Sequence, residues 1–281
     1  MNIKKISVPT DFSENSLKAL ESACHTARKF SAEVDLIHFI AAPVGHFVSS
    51  GTYETSFEDK LFVMKAIEKA SSKLKVIKDD VKFVGVRINT IVKVINDESD
   101  FSKDSAFQGA DLIVMSTEGD HSSFKIFGDT NAMDVAFKAN CPVLTIKEGL
   151  VIEKVRTLVL PTDFKSENIE FISFVKYLQE MYDFKLHIIY INSLIGGLHD
   201  KKEVEGAMKA FVKRYNLKNF EFKFIPDLTS YTGIVNYAEE VNADIIALHT
   251  HSGKGFFHWG GGVSGDLIRY SSTPVLTCRL T

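Results

Sequence analysis

The chain contains an internal repeat, and this repeat constrains its fold more than any other feature of the sequence. The segment Ile6–Phe12 (ISVPTDF) returns later as Leu158–Phe164 (LVLPTDF). Near the end of each copy, Cys141–Thr145 (CPVLT) returns as Thr273–Thr277 (TPVLT). Motifs that recur in the same order indicate a duplicated unit, and this unit has the size of a domain rather than of a solenoid repeat. The sequence therefore predicts two copies of one fold.

The duplication divides the 281 residues into two domains of ordinary size, which we place at residues 1–148 and 153–281. Each copy alternates short β-rich apolar runs with segments of helical period, and runs that are apolar throughout suit a parallel sheet covered on both faces. We therefore expect an α/β protein of two tandem, doubly wound, five-stranded parallel-sheet domains with Rossmann-like architecture. In such sheets a ligand binds at the carboxyl ends of the strands, where the strand order reverses.

The individual elements follow from the same pattern. The strand candidates are Ile6–Val8, Val34–Ile40, Val81–Val86, Leu112–Met115, Val143–Ile146, Thr157–Leu160, Leu186–Ile191, Phe220–Ile225, Ile245–Leu248 and Val275–Thr277. The helix candidates are Ser13–Phe30, Phe57–Ile77, Asn168–Met181, Lys202–Tyr215, Tyr231–Val241 and Val263–Tyr270. We expect Ser13 to cap the first of these helices. The residues expected on the apolar side of the second helix are Leu61, Met64, Ile67 and Leu74.

Composition and charge exclude several classes of function. The formal net charge is −3, so the chain lacks the basic field that holds nucleic acid or an anionic membrane surface. No apolar run approaches the roughly 18–20 residues of a membrane span, and the N-terminus lacks the apolar core of a signal peptide. The three cysteines, Cys24, Cys141 and Cys278, are too few and too scattered for a disulfide framework. We expect a cytoplasmic protein with neither nucleic acid nor membrane as a partner.

Polar and small residues follow the predicted strands. Asp11 and Asp163 come directly after the first strand of each copy, where a carboxylate can accept a hydrogen bond from an adenine amino group or a sugar hydroxyl. The same Pro-Thr-Asp-Phe segment is also compatible with a turn that leads into a helix cap. After the fourth strand, residues 116–131 and 249–264 form loops of small residues that run into a helix. Glycines in such a loop let backbone N–H groups approach phosphate oxygens, and the helix N-terminus adds its dipole.

Together these motifs resemble the universal stress protein family, whose nucleotide-binding members carry Gly-x2-Gly-x9-Gly-Ser/Thr after the fourth strand. The similarity covers essentially the whole chain, twice. It rests on the opening Val8–Ser13 (VPTDFS), the His38-Phe39 end of the second strand, the strand-four loop and the closing Cys141–Thr145. The resemblance implies a tandem member with the adenine nucleotide α-hydrolase-like fold, and ATP or AMP as the ligand, with Mg²⁺ accompanying ATP.

The resemblance also places the family's adenine contacts, which fall at the ends of the first two strands. They are Asp11 and the backbone of Phe39 in the first copy, and Asp163 and Ile191 in the second, where Pro161 and Thr162 are further candidates for nucleotide binding.

The phosphate loop of the first copy departs from the family pattern. Its remaining matches are Gly119 and Thr130. Three carboxylates stand where a triphosphate is expected, namely Glu118, Asp120 and Asp129. At about 4 Å and an effective dielectric constant near 20, each like-charge pair is unfavourable by about 4 kcal/mol before salt screening. Lys125 alone cannot offset three such charges, so we expect the first copy not to bind ATP in the family manner.

The loop of the second copy is compatible with phosphate. No acidic residue lies between His249 and Ser264, and Lys254 adds a positive charge. The residues expected around the phosphates are Thr250, Gly253, Gly255, Gly261, Gly262, Val263 and Ser264. The alternative is a glycine-rich loop that only turns the chain.

Other chemistry has less support in the sequence. The metal-ligand candidates are His249, His251, His258 and Cys278. Because His-x-His at a strand end points its two rings to opposite sides of the sheet, and no carboxylate completes the set, we expect no metal site. The sequence contains no nucleophile elbow, Walker A loop or dinucleotide-binding glycine motif. We expect no enzymatic activity beyond slow ATP hydrolysis.

Two functional hypotheses follow. The first is a non-enzymatic stress-response protein in which the second copy binds ATP or AMP and the first is a degenerate partner. The second is an interaction or scaffold module that binds no nucleotide in either copy. The resemblance implies that the last strands, Val143–Ile146 and Val275–Thr277, pair the copies as an intramolecular pseudo-dimer; a homodimer and an unknown protein partner stay open. The long connection Ala41–Thr55, which the second copy lacks, is either mobile or an interaction surface.

Overall fold

Strands and helices alternate along the computed structural model of the chain. The structure describes residues 2–42, 46–47, 53–54, 56–95, 101, 107–117, 129–164, 169–195, 198–250 and 262–279. The elements of the first copy are β1 (Lys5–Pro9), α1 (Glu14–Phe30), β2 (Glu33–Ala41), β3 (His46–Phe47), β4 (Tyr53–Glu54), α2 (Phe57–Lys78), β5 (Arg87–Ile95), β6 (Leu112–Ser116), α3 (Asp129–Lys138) and β7 (Val143–Ile146). Those of the second copy are β8 (Thr157–Pro161), α4 (Ile169–Tyr182), β9 (Lys185–Ser193), α5 (Lys201–Tyr215), β10 (Phe220–Asp227), α6 (Ser230–Glu240), β11 (Ile245–Thr250), α7 (Gly262–Tyr270) and β12 (Val275–Arg279).

The strand order confirms the doubly wound fold. The first copy contributes the order β5-β2-β1-β6-β7 and the second contributes β10-β9-β8-β11-β12, with parallel pairing inside each set. The order reverses between β1 and β6 and again between β8 and β11, and a ligand crevice is expected at each of these points. None of the helices in the described part of the chain is both long and apolar enough to cross a bilayer.

The two five-stranded sets join edge to edge. β7 and β12 pair antiparallel, so ten of the described strands form one continuous sheet. Two buried hydroxyls bridge this contact, which we call the seam. Thr145 Oγ1 donates to the Val275 carbonyl at 3.1 Å, and Thr277 Oγ1 donates to the Val143 carbonyl at 3.3 Å. The division into domains at residues 148 and 153 stays a prediction.

The third strand of the first copy lies later than the sequence indicates. The predicted strand Val81–Val86 is wrong: its first three residues form a 3-10 turn, and Gly85 has a positive φ of 85°. The strand is β5, which pairs with β2 along its whole length. Only Phe83 of the apolar run is buried in the core, whereas Val81 and Val84 are exposed. An edge strand such as β5 carries polar residues, so continuous apolarity does not mark it.

The structure confirms the prediction for α1 and corrects the prediction for α2. Ser13 caps α1 as predicted, because its Oγ accepts the Ser16 N–H at 3.2 Å. In α2, Leu74 is buried, but Leu61 and Met64 are 40% and 66% exposed, so the predicted apolar side is not one buried face. At 100° per residue, Leu61 lies about 140° around the helix axis from Leu74. One helix face cannot therefore hold both side chains against the sheet.

Two corresponding threonines at the ends of β6 and β11 differ in their partners. Thr250 Oγ1 is fully buried and donates across the seam to the Ala136 carbonyl in α3, at 3.1 Å. Thr117 follows β6 in the first copy, and its buried hydroxyl has no hydrogen-bond partner within the described residues.

This difference predicts opposite effects of one substitution at the two positions. Thr250→Val should lower the free energy of unfolding by about 1–2 kcal/mol, because it removes a buried hydrogen bond. Thr117→Val should leave it unchanged or raise it, because it removes a hydroxyl that is buried without a partner. Urea unfolding of the two variants measures both values. Equal losses at the two positions would contradict the assignment.

Candidate nucleotide site

The turn after the first strand has the same strained backbone in both copies. Phe12 and Phe164 have φ values of 71° and 59°, in the left-handed region that bulky residues rarely adopt. Thr10 Oγ1 accepts the Phe12 N–H and Thr162 Oγ1 accepts the Phe164 N–H, each at 3.0 Å. Strain of this kind persists where neighbouring contacts hold it, and it is concentrated at functional sites. The repeated Thr-Asp-Phe segment therefore holds its aspartate at the same strand end in both copies.

Asp11 and Asp163 lie at the same strand end in the two copies. Asp11 Oδ1 accepts the Ser13 N–H at 2.9 Å, so this carboxylate closes the turn that leads into α1. Asp163 is exposed. Burial raises the pKa of the Tyr190 phenol, and the charge of Asp163 raises it further. The turn-and-cap interpretation thus describes Asp11, and Asp163 is the more exposed of the two carboxylates.

The backbone groups expected to contact adenine lie just beyond the first strand. In the second copy the Thr162 N–H donates to the Ile189 carbonyl at 3.0 Å. Ile191 lies two residues further along β9, so its peptide groups face the same edge of the strand, past the end of β8. The structure therefore brings the Ile191 backbone and the Asp163 turn to one strand end. The first copy repeats this arrangement with Thr10, Ile37 and Phe39.

Helix α6 contacts this part of the second copy through a glycine. A β carbon on Gly233 would lie 2.9 Å from Ile191 Cγ2 and 3.0 Å from Asp227 Cβ, so a larger residue does not fit without movement. The Thr232 hydroxyl donates to the Asp227 carboxylate, and this bond holds the pKa of Asp227 below its ordinary value. Sequence reasoning missed Gly233, although a glycine inside a helical segment was the available signal.

Different rings line the two crevices. His38 Nδ1 lies 2.8 Å from the Thr10 carbonyl, and because a carbonyl only accepts, Nδ1 carries the proton. Burial lowers the pKa of His38, so the ring is neutral at pH 7. In the second copy Tyr190 takes this place, and its hydroxyl lies 2.9 Å from His199 Nδ1. Its ring stacks on Phe164 with centroids 6.2 Å apart. Sequence reasoning assigned no role to Tyr190 or His199.

The residues expected around the phosphates are described only in part. Four of them lie outside the described residues: Gly119, Gly253, Gly255 and Gly261. Thr130 lies in the first turn of α3, and the first turn of α7 contains Gly262, Val263 and Ser264. Gly262 has a φ of 64°, and Ser264 Oγ donates to the His249 carbonyl at 3.4 Å. Because the Thr250 hydroxyl is bound at the seam, only its backbone can face a ligand.

Comparison with known proteins places this chain in a family. The model of the universal stress protein family matches residues 2–147, just over half of the chain. The chain belongs to the universal stress protein family. Universal stress protein MJ0531 of Methanocaldococcus jannaschii is 32% identical over 146 residues, which are 52% of this chain and 82% of that protein. A universal stress protein from Archaeoglobus fulgidus DSM 4304 has 20% identity and a TM-score of 0.74 over 98% of both chains, which shows that the fold is shared.

One solved universal stress protein binds an adenine nucleotide. It was crystallised in complex with cAMP, and it is 18% identical to this chain with a TM-score of 0.37, over 45% of this chain and 98% of that one. At that similarity, the cAMP complex is an observation about that protein and not about this chain.

The described residues of this universal stress protein contain no group of three or more His, Cys, Asp and Glu side chains that could hold a metal ion. Burial raises the pKa of the Cys278 thiol to about 11, so the thiol is protonated at neutral pH. His251 and His258 lie outside the described residues.

Proposed function

We propose that this universal stress protein is a non-enzymatic, cytoplasmic stress-response protein whose second copy, residues 153–281, binds ATP or AMP, with Mg²⁺ accompanying ATP. The observation that carries the proposal is the start of α7, where Gly262 opens the helix with a φ of 64° after a loop without acidic residues. The first N–H groups of a helix lack partners within the helix, and together with the helix dipole they favour phosphate.

The described part of the crevice fits such a ligand at both ends. The exposed carboxylate of Asp163 can accept a hydrogen bond from an adenine amino group, and the peptide groups of Ile191 face the same space. At the other end, the N–H groups of Gly262 and Val263 can donate to phosphate oxygens. Among the described residues, no atom lies within 4 Å of the place that a β carbon on Gly262 would take.

Charge distinguishes the two copies. The first copy carries Glu118, Asp120 and Asp129 in its strand-four loop, whereas the loop of the second copy carries no acid between His249 and Ser264. We therefore propose that the first copy, residues 1–148, serves as a structural partner. Its contact with the second copy through the seam has the form of a two-subunit interface, so we propose that the chain is an intramolecular pseudo-dimer. A nucleotide bound at α7 would then favour the chain conformation that binds it best.

Thermal unfolding with and without ATP and Mg²⁺ tests this function. We expect ATP to raise the melting temperature, because a ligand at about 100 times its Kd stabilises the native state by about 2.7 kcal/mol. Gly262→Asp should abolish the shift, because it adds a negative charge beside the phosphates. The matched control is Gly109→Asp, since Gly109 also has a positive φ, of 76°, and no described atom within 4 Å of an added β carbon, but it precedes the amino end of β6 in the first copy. Absence of a shift in the wild-type protein at millimolar ATP would contradict the proposal.

The second candidate function is an interaction or scaffold module without nucleotide. The hydrogen bond from the Ser13 N–H to Asp11 favours it for the first copy, because the carboxylate there completes a turn. An unchanged melting temperature with every adenine nucleotide would support this function for the whole chain.

A further inference from the structure

Helix α2 exposes large apolar side chains near its N-terminus. Phe57 is 79% exposed, Leu61 40%, Phe62 54% and Met64 66%. Every residue of α5, the corresponding helix of the second copy, is described, and none of its large apolar side chains is exposed. The fold therefore does not require this exposure, and an uncovered group of this kind indicates an interaction site.

Two charged residues are placed symmetrically within this group. Glu58 and Lys65 are seven residues apart, which is about two helical turns or 10.5 Å, so they lie on the same side of α2. The midpoint between them falls between Leu61 and Phe62. Both charged side chains are exposed, and neither makes an ion pair with another described residue. We define the α2 patch as Glu58, Leu61, Phe62 and Lys65, which lie within about 100° of one another around the helix axis.

A twofold axis through that midpoint makes the α2 patch complementary to itself. Two antiparallel α2 helices related by this axis bring Glu58 opposite the partner's Lys65, and the reciprocal pair forms at the same time. Leu61 comes opposite the partner's Phe62. Two ion pairs thus flank a central apolar contact, and a shift of one turn along the helix would separate these pairs.

We propose that the α2 patch is an interface between two copies of this chain, packed through antiparallel α2 helices. Removal of apolar surface from water drives the association, and the two Glu58–Lys65 pairs set the register. One helix pair buries less surface than the roughly 800 Å² per partner of a standard interface. The dimer is therefore weak, and the fraction of dimer rises with protein concentration. This interface is independent of the proposed nucleotide site.

Sedimentation velocity on the full chain tests the proposal, between about 10 μM and about 1 mM, where weak interfaces associate. We expect a concentration-dependent monomer–dimer equilibrium in the wild-type protein. Leu61→Glu and Phe62→Glu should each abolish the dimer. The control is Val81→Glu, because Val81 is 82% exposed but lies outside the α2 patch. Since these side chains are exposed, the melting temperatures of the variants should match the wild type.

A charge exchange tests the register. Glu58→Lys and Lys65→Glu should each weaken dimerisation by about tenfold or more, because each brings like charges together. The double variant should recover the wild-type dissociation constant to within about threefold, because both pairs are restored with reversed sign. The proposal is overturned by a monomer at every concentration, by a dimer that survives Leu61→Glu, or by a double variant as weak as the single variants.

Discussion

Leu144→Ala should lower the free energy of unfolding by about 2–5 kcal/mol, the range found for buried leucines. Leu144 in β7 lies opposite Leu276 in β12 at the seam, and the two side chains are 4% and 2% exposed. Both belong to one apolar cluster with members in both copies. The cavity left by the substitution therefore lies in a core that the copies share. Chemical denaturation measures this loss. The control is Leu194→Ala, because Leu194 is 62% exposed, and its free energy of unfolding should change by no more than about 0.5 kcal/mol.

The same variant tests whether the two copies unfold together. Because the core continues across the seam, we expect a single transition in the wild-type protein and in Leu144→Ala. The double variant Leu144→Ala/Leu276→Ala should differ from the sum of the single losses, since the two side chains are neighbours. Two separate transitions, of which only one moves in Leu144→Ala, would contradict a shared core.

Gly233→Ala should also destabilise the protein strongly, by about 1–3 kcal/mol, because the added methyl group overpacks the contact between α6 and β9. Its β carbon would meet Ile191 Cγ2 at 2.9 Å and Asp227 Cβ at 3.0 Å, and the second of these is fixed next to the backbone. Gly206→Ala is the matched control, since Gly206 lies in α5 and no atom of the described residues lies within 4 Å of the added carbon. There alanine should stabilise the helix by up to about 1 kcal/mol.

Urea unfolding of both glycine variants measures this contrast. If Gly233→Ala were as harmless as Gly206→Ala, the close packing of α6 on Ile191 would be wrong. The double variant Ile191→Ala/Gly233→Ala should lose less than the sum of its single losses, because Ile191→Ala removes the atoms that the new methyl group would meet.

Much of the fold could be predicted from the sequence, because local sequence motifs mark where its strands and helices begin and end. The repeated Pro-Thr-Asp-Phe segment marked the end of the first strand in both copies, and Ser13 marked the start of α1. The edge strand β5 could not be found in this way, since it carries polar residues while the apolar run Val81–Val86 precedes it. Periodicity also could not tell which apolar residues of α2 meet the sheet, so Leu61 and Met64 were grouped with Leu74 on one apolar side.

The candidate site depends more on contacts between distant residues. The positions of Asp11 and Asp163 followed from the repeat, but the left-handed backbone of Phe12 and Phe164 did not, because bulky residues seldom adopt it. The contact of Gly233 with Ile191 joins an α6 residue to a strand far away in sequence. No local pattern reports such a pair, and only the packing of α6 against β9 reveals it.

Isothermal titration calorimetry of the full chain with ATP and Mg²⁺ tests the central claim, that the second copy binds nucleotide and the first does not. We predict one nucleotide per chain, with binding lost in Asp163→Ala and retained in Asp11→Ala. Two nucleotides per chain, or binding that survives Asp163→Ala and disappears in Asp11→Ala, would contradict the account.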